Sequence, residues 1–241
     1  MLNDERKNDI DELLKALNLG IDDYGLLDIA LTHSSYNFEN KIESCENYER
    51  LEFLGDAVLK LIASRYLYNR FPDYPEGELT KIRAILVSDK TLAQLAEKIN
   101  LGKYIKLGYH EEKTGGRKRS STLACAFEAI LGAFYLDEKM DSIYEFLTEL
   151  IDDKVTEIDE SATKHNCKAM LQEYTQSLGL GIPEYITIQE EGPPHNKVFR
   201  VEVQVSGQSL GVGEGKSKKD AHQKAARNAV IALGLIEGHE K

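Results

Sequence analysis

The 241 residues suffice for two ordinary domains with buried cores, and 41% hydrophobic content with only 5 prolines excludes a disordered or collagen-like chain. No apolar run approaches the roughly 20 residues that a membrane span needs, and the charged start Leu2-Asn3-Asp4-Glu5-Arg6-Lys7 lacks the apolar stretch of a secretory signal, so a cytoplasmic location is expected. The net charge of −11 argues against a uniformly basic nucleic-acid binder, yet ten Lys/Arg and nine Asp/Glu lie from Lys164 onward, so the acidity belongs to the N-terminal part.

From Asp4 to about Glu157 apolar residues recur at helical spacing with no sustained period of two, which predicts an all-α N-terminal domain over residues 1–157. Helices are expected near Asn8–Leu17, Leu26–His33, Glu46–Asn69, Leu79–Leu86, Lys90–Ile99, Leu123–Leu136 and Ile143–Val155, with Phe71-Pro72 ending the long third one. His33 reads as a histidine packed in its helix. Residues 158–166 are polar and aperiodic, which predicts a flexible linker. Beyond it the pattern changes to a helix at Lys168–Ser177, strands at Tyr185–Gln189, Val198–Val205 and Gln208–Gly213, and a helix at Ser217–Leu233. The middle strand alternates Phe199, Val201, Val203 and Val205 with Arg200, Glu202 and Gln204, the mark of a half-buried strand. Residues 167–237 are thus expected to form an α-β-β-β-α (α+β) domain. Gly213-Glu214-Gly215-Lys216-Ser217 is a strand-to-helix turn and not a phosphate loop, because Leu210 stands where that motif needs glycine; no nucleotide cofactor is expected. Cys45, Cys125 and Cys167 are too dispersed for a disulfide framework or a CxxC metal pair.

Glu49, Glu52 and Asp56 fall at i, i+3 and i+7 of the long helix and project from one face. Such a stripe is either a solvated acidic face or one side of a cation site. Phe53, Leu54, Gly55, Ala57 and Val58 around it imply a border with packed surface, where unpaired carboxylates are costly. Glu128 lies alone in the apolar run Leu123-Ala124-Cys125-Ala126-Phe127-Glu128-Ala129-Ile130-Leu131-Gly132 and calls for a partner. Carboxylates converging from two helices make an all-oxygen site suited to magnesium or manganese and to metal-assisted phosphodiester hydrolysis. No HExxH zinc motif and no GxSxG nucleophile elbow occurs.

Two basic features stand apart from this acidity. Lys218 and Lys219 occupy the first turn of the last helix behind the cap Ser217, where cations oppose the helix dipole unless a phosphate is bound. Arg117-Lys118-Arg119 forms a loop just before the Glu128 helix, and reads equally as a phosphate-backbone grip or as a solvated loop.

The run Tyr48-Glu49-Arg50-Leu51-Glu52-Phe53-Leu54-Gly55-Asp56-Ala57-Val58-Leu59 closely resembles the signature of the bacterial-type ribonuclease III family. The likeness extends to Ala30-Leu31-Thr32-His33-Ser34, to Pro75-Glu76-Gly77-Glu78-Leu79 and to the stretch from Leu123 to Asp137, and the C-terminal part resembles that family's double-stranded-RNA-binding domain. The resemblance implies a homodimeric, magnesium-dependent endoribonuclease, with manganese a substitute, that cuts double-stranded RNA to 5′-phosphate and 3′-hydroxyl ends and processes ribosomal RNA precursors and other structured RNAs. It makes Asp56 and Glu128 catalytic, Glu52, Asp56 and Glu128 metal ligands, Glu49 and Glu76 accessory acids, and Phe53 the dimer plug. It places Gln172, Glu173, Pro194, His195, Lys218, Lys219 and His222 at the RNA, with Gln172 and Glu173 near the 2′-hydroxyls that distinguish RNA from DNA. Cys125 departs from the pattern, which has aspartate three residues before the catalytic glutamate. A thiol is a poor magnesium ligand, so two readings stand: an active site with water in the open position, or a non-catalytic RNA-binding dimer.

Overall fold

In a computed structural model, residues 2–42, 46–193 and 197–235 are described, with residues 160–166 described by backbone alone. Cys45, Pro194 and His195 fall outside the described residues. The chain divides into two compact units, Met1–Ile158 and Asp159–Lys241.

The first unit is helical: α1 (Asp4–Leu17), α2 (Tyr24–Ala30), α3 (Ser34–Glu39), α4 (Glu49–Arg70), α5 (Glu76–Leu86), α6 (Asp89–Lys98), α7 (Tyr109–Lys113), α8 (Ser120–Leu136) and the start of α9 (Met140–Ser177). At its centre lies α8, where every residue from Ala129 to Phe134 is buried, as a helix apolar on nearly all sides requires. Its most extensive partner is α4. The two helices touch backbone to backbone: a Cβ at Gly55 would collide with the Glu128 carbonyl, and one at Gly132 with the Leu51 carbonyl. Only glycine permits this approach, and it brings the acidic face of α4 up to Glu128.

The second unit is a three-stranded antiparallel sheet in the order β1-β2-β3, formed by β1 (Glu184–Glu191), β2 (Val198–Val205) and β3 (Gln208–Gly215), with α10 (Lys218–Ala232) packed on it. Val201, Val203 and Val205 are buried and the alternate residues are not, as the period of two predicts. A Cβ at Gly213 would strike the backbone of Ala225, so glycine facing alanine lets α10 lie close on β3. Cys167 and Leu171 of α9 complete this second core.

Four expectations change. Residues 158–166 are helical backbone inside α9, because no Gly or Pro interrupts Met140–Ser177 and polar residues such as Glu and Lys are good helix formers. Helix α2 stops at Ala30, and His33 is the N-cap of the short α3, which carries too few residues for a period to show. The five-residue α7 is invisible in the sequence for the same reason. Gly213, Glu214 and Gly215 are strand, paired with Val201, Arg200 and Phe199, and the turn is confined to Lys216 and Ser217.

Candidate metal centre and nucleic-acid interface

Glu52 and Asp56 lie half-buried one turn apart on α4, opposite Glu128 on α8. The Glu128 carboxyl is pushed up to about 7, first by burial and then by the charges of Asp56, Glu52 and Asp89, with Lys60 acting the other way. Its raised affinity for protons reflects burial beside carboxylates that Lys60 only partly offsets. Asp56 Oδ2 meets Lys60 Nζ at 2.7 Å, a pair open to solvent. No three His, Cys, Asp or Glu side chains stand in metal-holding geometry among the described residues. The donor set nonetheless fits a hard cation: carboxylate oxygens, mutually repelling, on a frame fixed by the glycine crossing.

Cys125 sits one turn before Glu128. Its thiol is pushed up to about 12, by burial first, then by the neighbouring Glu52 carboxylate and the charges of Glu128 and Asp89. A thiol is a soft donor and a poor ligand for a hard cation, and Cys125 stands protonated beside the Glu52 carboxylate. Glu49 and Glu76 stand outside the group of carboxylates acting on Glu128: Glu49 lies exposed beside Phe53, and Glu76 opens α5 and accepts from Thr80 Oγ1 at 2.8 Å. The sequence gives no sign of the charge of Asp89 acting on Glu128 or of the burial of Tyr48 beside His33. Buried Tyr48 packs edge-on against His33 at 5.5 Å, and its hydroxyl is pushed upward by burial and by Cys125, Glu52 and Glu49. The signature run itself begins at Tyr48.

Phe53 is 83% exposed on α4 and borders a groove lined by Leu26, Ile29, Leu51, Leu54 and Leu136. So large an apolar ring in water, beside an apolar hollow, marks a surface meant to be covered.

In the second unit Ser217 Oγ caps α10 by accepting from the Asp220 N–H at 3.1 Å, leaving Lys218 and Lys219 exposed in the first turn as expected. Gln172 and Glu173 are exposed on α9. His222 is different. Its ring stacks on Tyr185 at 5.1 Å, its Nδ1 lies 3.2 Å from Lys168 Nζ, and burial with Lys168 and Lys218 holds its pKa below the ordinary value. The fold thus favours its neutral ring. Arg117 is also committed elsewhere: Nη1 donates to the carbonyls of Gly102, Lys103 and Ile105 at 2.6, 3.1 and 2.9 Å, and Nε and Nη2 bind Glu112. It ties the loop together, and Lys118 remains exposed.

A helical unit with carboxylates assembled across a glycine crossing, followed by an α-β-β-β-α unit with bare lysines at a helix start, defines a nuclease directed at duplex RNA. The Ribonuclease-III-like family model matches residues 23–155, and the double-stranded RNA binding motif matches residues 167–233. The chain belongs to the ribonuclease III family and is a double-stranded-RNA-specific endoribonuclease. It is 49% identical over 225 residues to Ribonuclease 3 of Halalkalibacterium halodurans, covering 92% of this chain and 84% of that one. Ribonuclease 3 of a Geobacillus species is 46% identical over 237 residues, with 98% and 95% covered. Among solved structures, the nuclease domain of ribonuclease III from Campylobacter jejuni, described for flexibility in a region involved in dimer formation, is 40% identical with a TM-score of 0.55 and covers 60% of this chain and 96% of that one.

Proposed function

We propose that the protein cuts double-stranded RNA by magnesium-assisted hydrolysis, with manganese as a substitute, leaving 5′-phosphate and 3′-hydroxyl ends on ribosomal RNA precursors and other structured RNAs. The carrying observation is the half-buried Glu128, whose carboxyl is raised to about 7 by burial and by Asp56 and Glu52 across the α4–α8 crossing. Glu52, Asp56 and Glu128 are the residues that would hold the cation. When bound, such a cation polarises a phosphodiester and lowers the pKa of its water. Asp56 has to exchange Lys60 for that role, and the Cys125 thiol stands protonated beside Glu52. Glu49 and Glu76 supply negative charge at the margin of the site.

Phe53 and its neighbouring groove suit a homodimer in which each copy receives the other's ring. Lys218, Lys219, Gln172 and Glu173 form the RNA face, with Lys118 on the nuclease unit. No helix among the described residues is long and apolar enough to cross a membrane, and the free thiol of Cys125 suits a reducing compartment, so the cytoplasm is the proposed location. No observation favours the non-catalytic reading.

The test is cleavage of a long RNA duplex with magnesium, with manganese and with EDTA, beside Glu128→Gln and Cys125→Asp. Cutting should need the metal and vanish in Glu128→Gln. Cleavage that survives EDTA overturns the metal mechanism, and a silent protein revived by Cys125→Asp overturns catalytic competence.

A further inference from the structure

Lys168 is a cation without a carboxylate. It lies half-buried one turn before Gln172 on α9, and among the described residues no acid pairs with it or acts on its charge. Its ammonium instead sits 4.4 Å from the centre of the Tyr185 ring on β1 and 3.2 Å from Nδ1 of His222, one turn after Lys218 on α10. The His222 ring in turn lies flat on Tyr185, with 10° between the planes. Three elements of the second unit thus meet at one cation, and the contact joins the part of α9 that carries Gln172 to the part of α10 that carries Lys218. An ammonium can only donate, so Nδ1 accepts from it and the single ring proton stands on Nε2. Nε2 has no partner among the described residues. The titratable groups facing the ring are Lys168, Lys218 and Tyr185, whose hydroxyl burial pushes up to about 12 and keeps neutral, so none of them is negative.

We propose that Lys168 and His222 form a phosphate-binding pair on the RNA face, and that His222 takes up a proton when the duplex backbone reaches it. The proposal rests on the reading of Gln172, Glu173, Lys218 and Lys219 as that face. A phosphate oxygen accepts from the free Nε2–H, and its negative charge offsets the two lysines that oppose protonation of the ring. A proton from the solvent then fills Nδ1. A protonated Nδ1 can no longer accept, so the ammonium leaves the ring and turns to the same phosphate as a second donor. The one covalent bond formed is that N–H, and the buffer supplies its proton. The contact of Lys168 with Tyr185 also holds α9 on the sheet without any RNA, and the test has to separate the two roles.

The measurement is binding of a short RNA duplex by the full-length protein, with EDTA to keep the duplex intact, by calorimetry across a range of salt and in buffers of different ionisation enthalpy. At pH 6.5 each subunit should take up about half a proton on binding, and His222→Gln should lose that uptake. Acids of the nuclease unit that titrate in the same range contribute equally to both proteins and cancel in the comparison. Lys168→Met keeps the apolar stem and removes the ammonium. It should weaken binding for every duplex sequence and flatten the slope of log affinity against log salt by about one, while Lys168→Arg keeps the slope. An unchanged slope in Lys168→Met, with binding weakened in Lys218→Ala, overturns the phosphate contact and leaves the RNA face standing. Unchanged binding in Lys218→Ala and Lys219→Ala as well overturns both. Proton uptake in His222→Gln equal to the parent's overturns the coupling. Melting without RNA verifies that the variants are folded, and Lys168→Gln, which keeps a donor for Nδ1 without the charge, must reproduce the Met slope.

Discussion

A single histidine makes part of the stability of the nuclease unit depend on pH. His33 caps α3 with Nδ1, which accepts from the Ser35 N–H at 3.0 Å. Burial holds the ring below its ordinary value of 6.5, Arg119 acts in the same direction, and Glu111 and Glu49 act against it. The fold therefore favours the neutral ring, and this contribution, complete above the unfolded value, is lost as the pH falls through the folded one. Protonated Nδ1 also cannot accept, so the cap, about 1 kcal/mol, goes with it. His33→Asn keeps a cap acceptor that does not titrate, so between pH 7 and pH 5 its melting temperature should fall less than that of the parent. Equal falls would show that the His33 cap is not acid-sensitive. At this scale the sequence exposes Glu52, Asp56 and Glu128, because acids spaced along one helix face and an acid inside an apolar run are visible without a structure. Asp89 was hidden, since its relation to Glu128 is made by packing of α6 on α8. Arg117 misled because a guanidinium in a glycine-rich loop looks the same whether it awaits phosphate or binds three carbonyls.

The crossing of α4 and α8 positions the site and can be tested by adding one carbon. Gly55→Ala should force the helices apart and destabilise the protein by about 3 kcal/mol, the upper part of the usual range for overpacking, despite the better helix propensity of alanine. Gly77→Ala is the matching control. Gly77 lies in the first turn of α5 with no atom within 4 Å of where a Cβ would stand, so that change should be neutral or slightly stabilising. Denaturant midpoints of the two variants give the comparison, and a harmless Gly55→Ala would show that the helices are not held by backbone contact. Long elements were legible: α4, α8, β2 and α10 have periods sustained over enough residues to be read. Elements of five or six residues were not, and the helical backbone through 158–166 was misjudged because a missing apolar stripe does not prevent helix formation where breakers are absent.

Across the molecule the charge is divided, with most acid in the unit that carries the carboxylate cluster and near balance in the unit with Lys218 and Lys219. Duplex binding therefore depends on few local cations. Lys218→Ala and Lys219→Ala should each weaken it and flatten the slope of log affinity against log salt by about one for every phosphate left without its lysine, while manganese affinity stays unchanged. A salt slope equal to the parent's would remove those lysines from the RNA face. The domain order was legible because the hydrophobic period changes from helical to alternating. The carboxylates of the candidate cation site were legible one by one, and their surroundings were not. Because two glycines fix the distance between α4 and α8 through main chain alone, the place of the cluster does not depend on which side chains populate it. A different residue at one position of the cluster, such as the cysteine at 125, alters the chemistry at that corner without moving the helices that carry the other carboxylates.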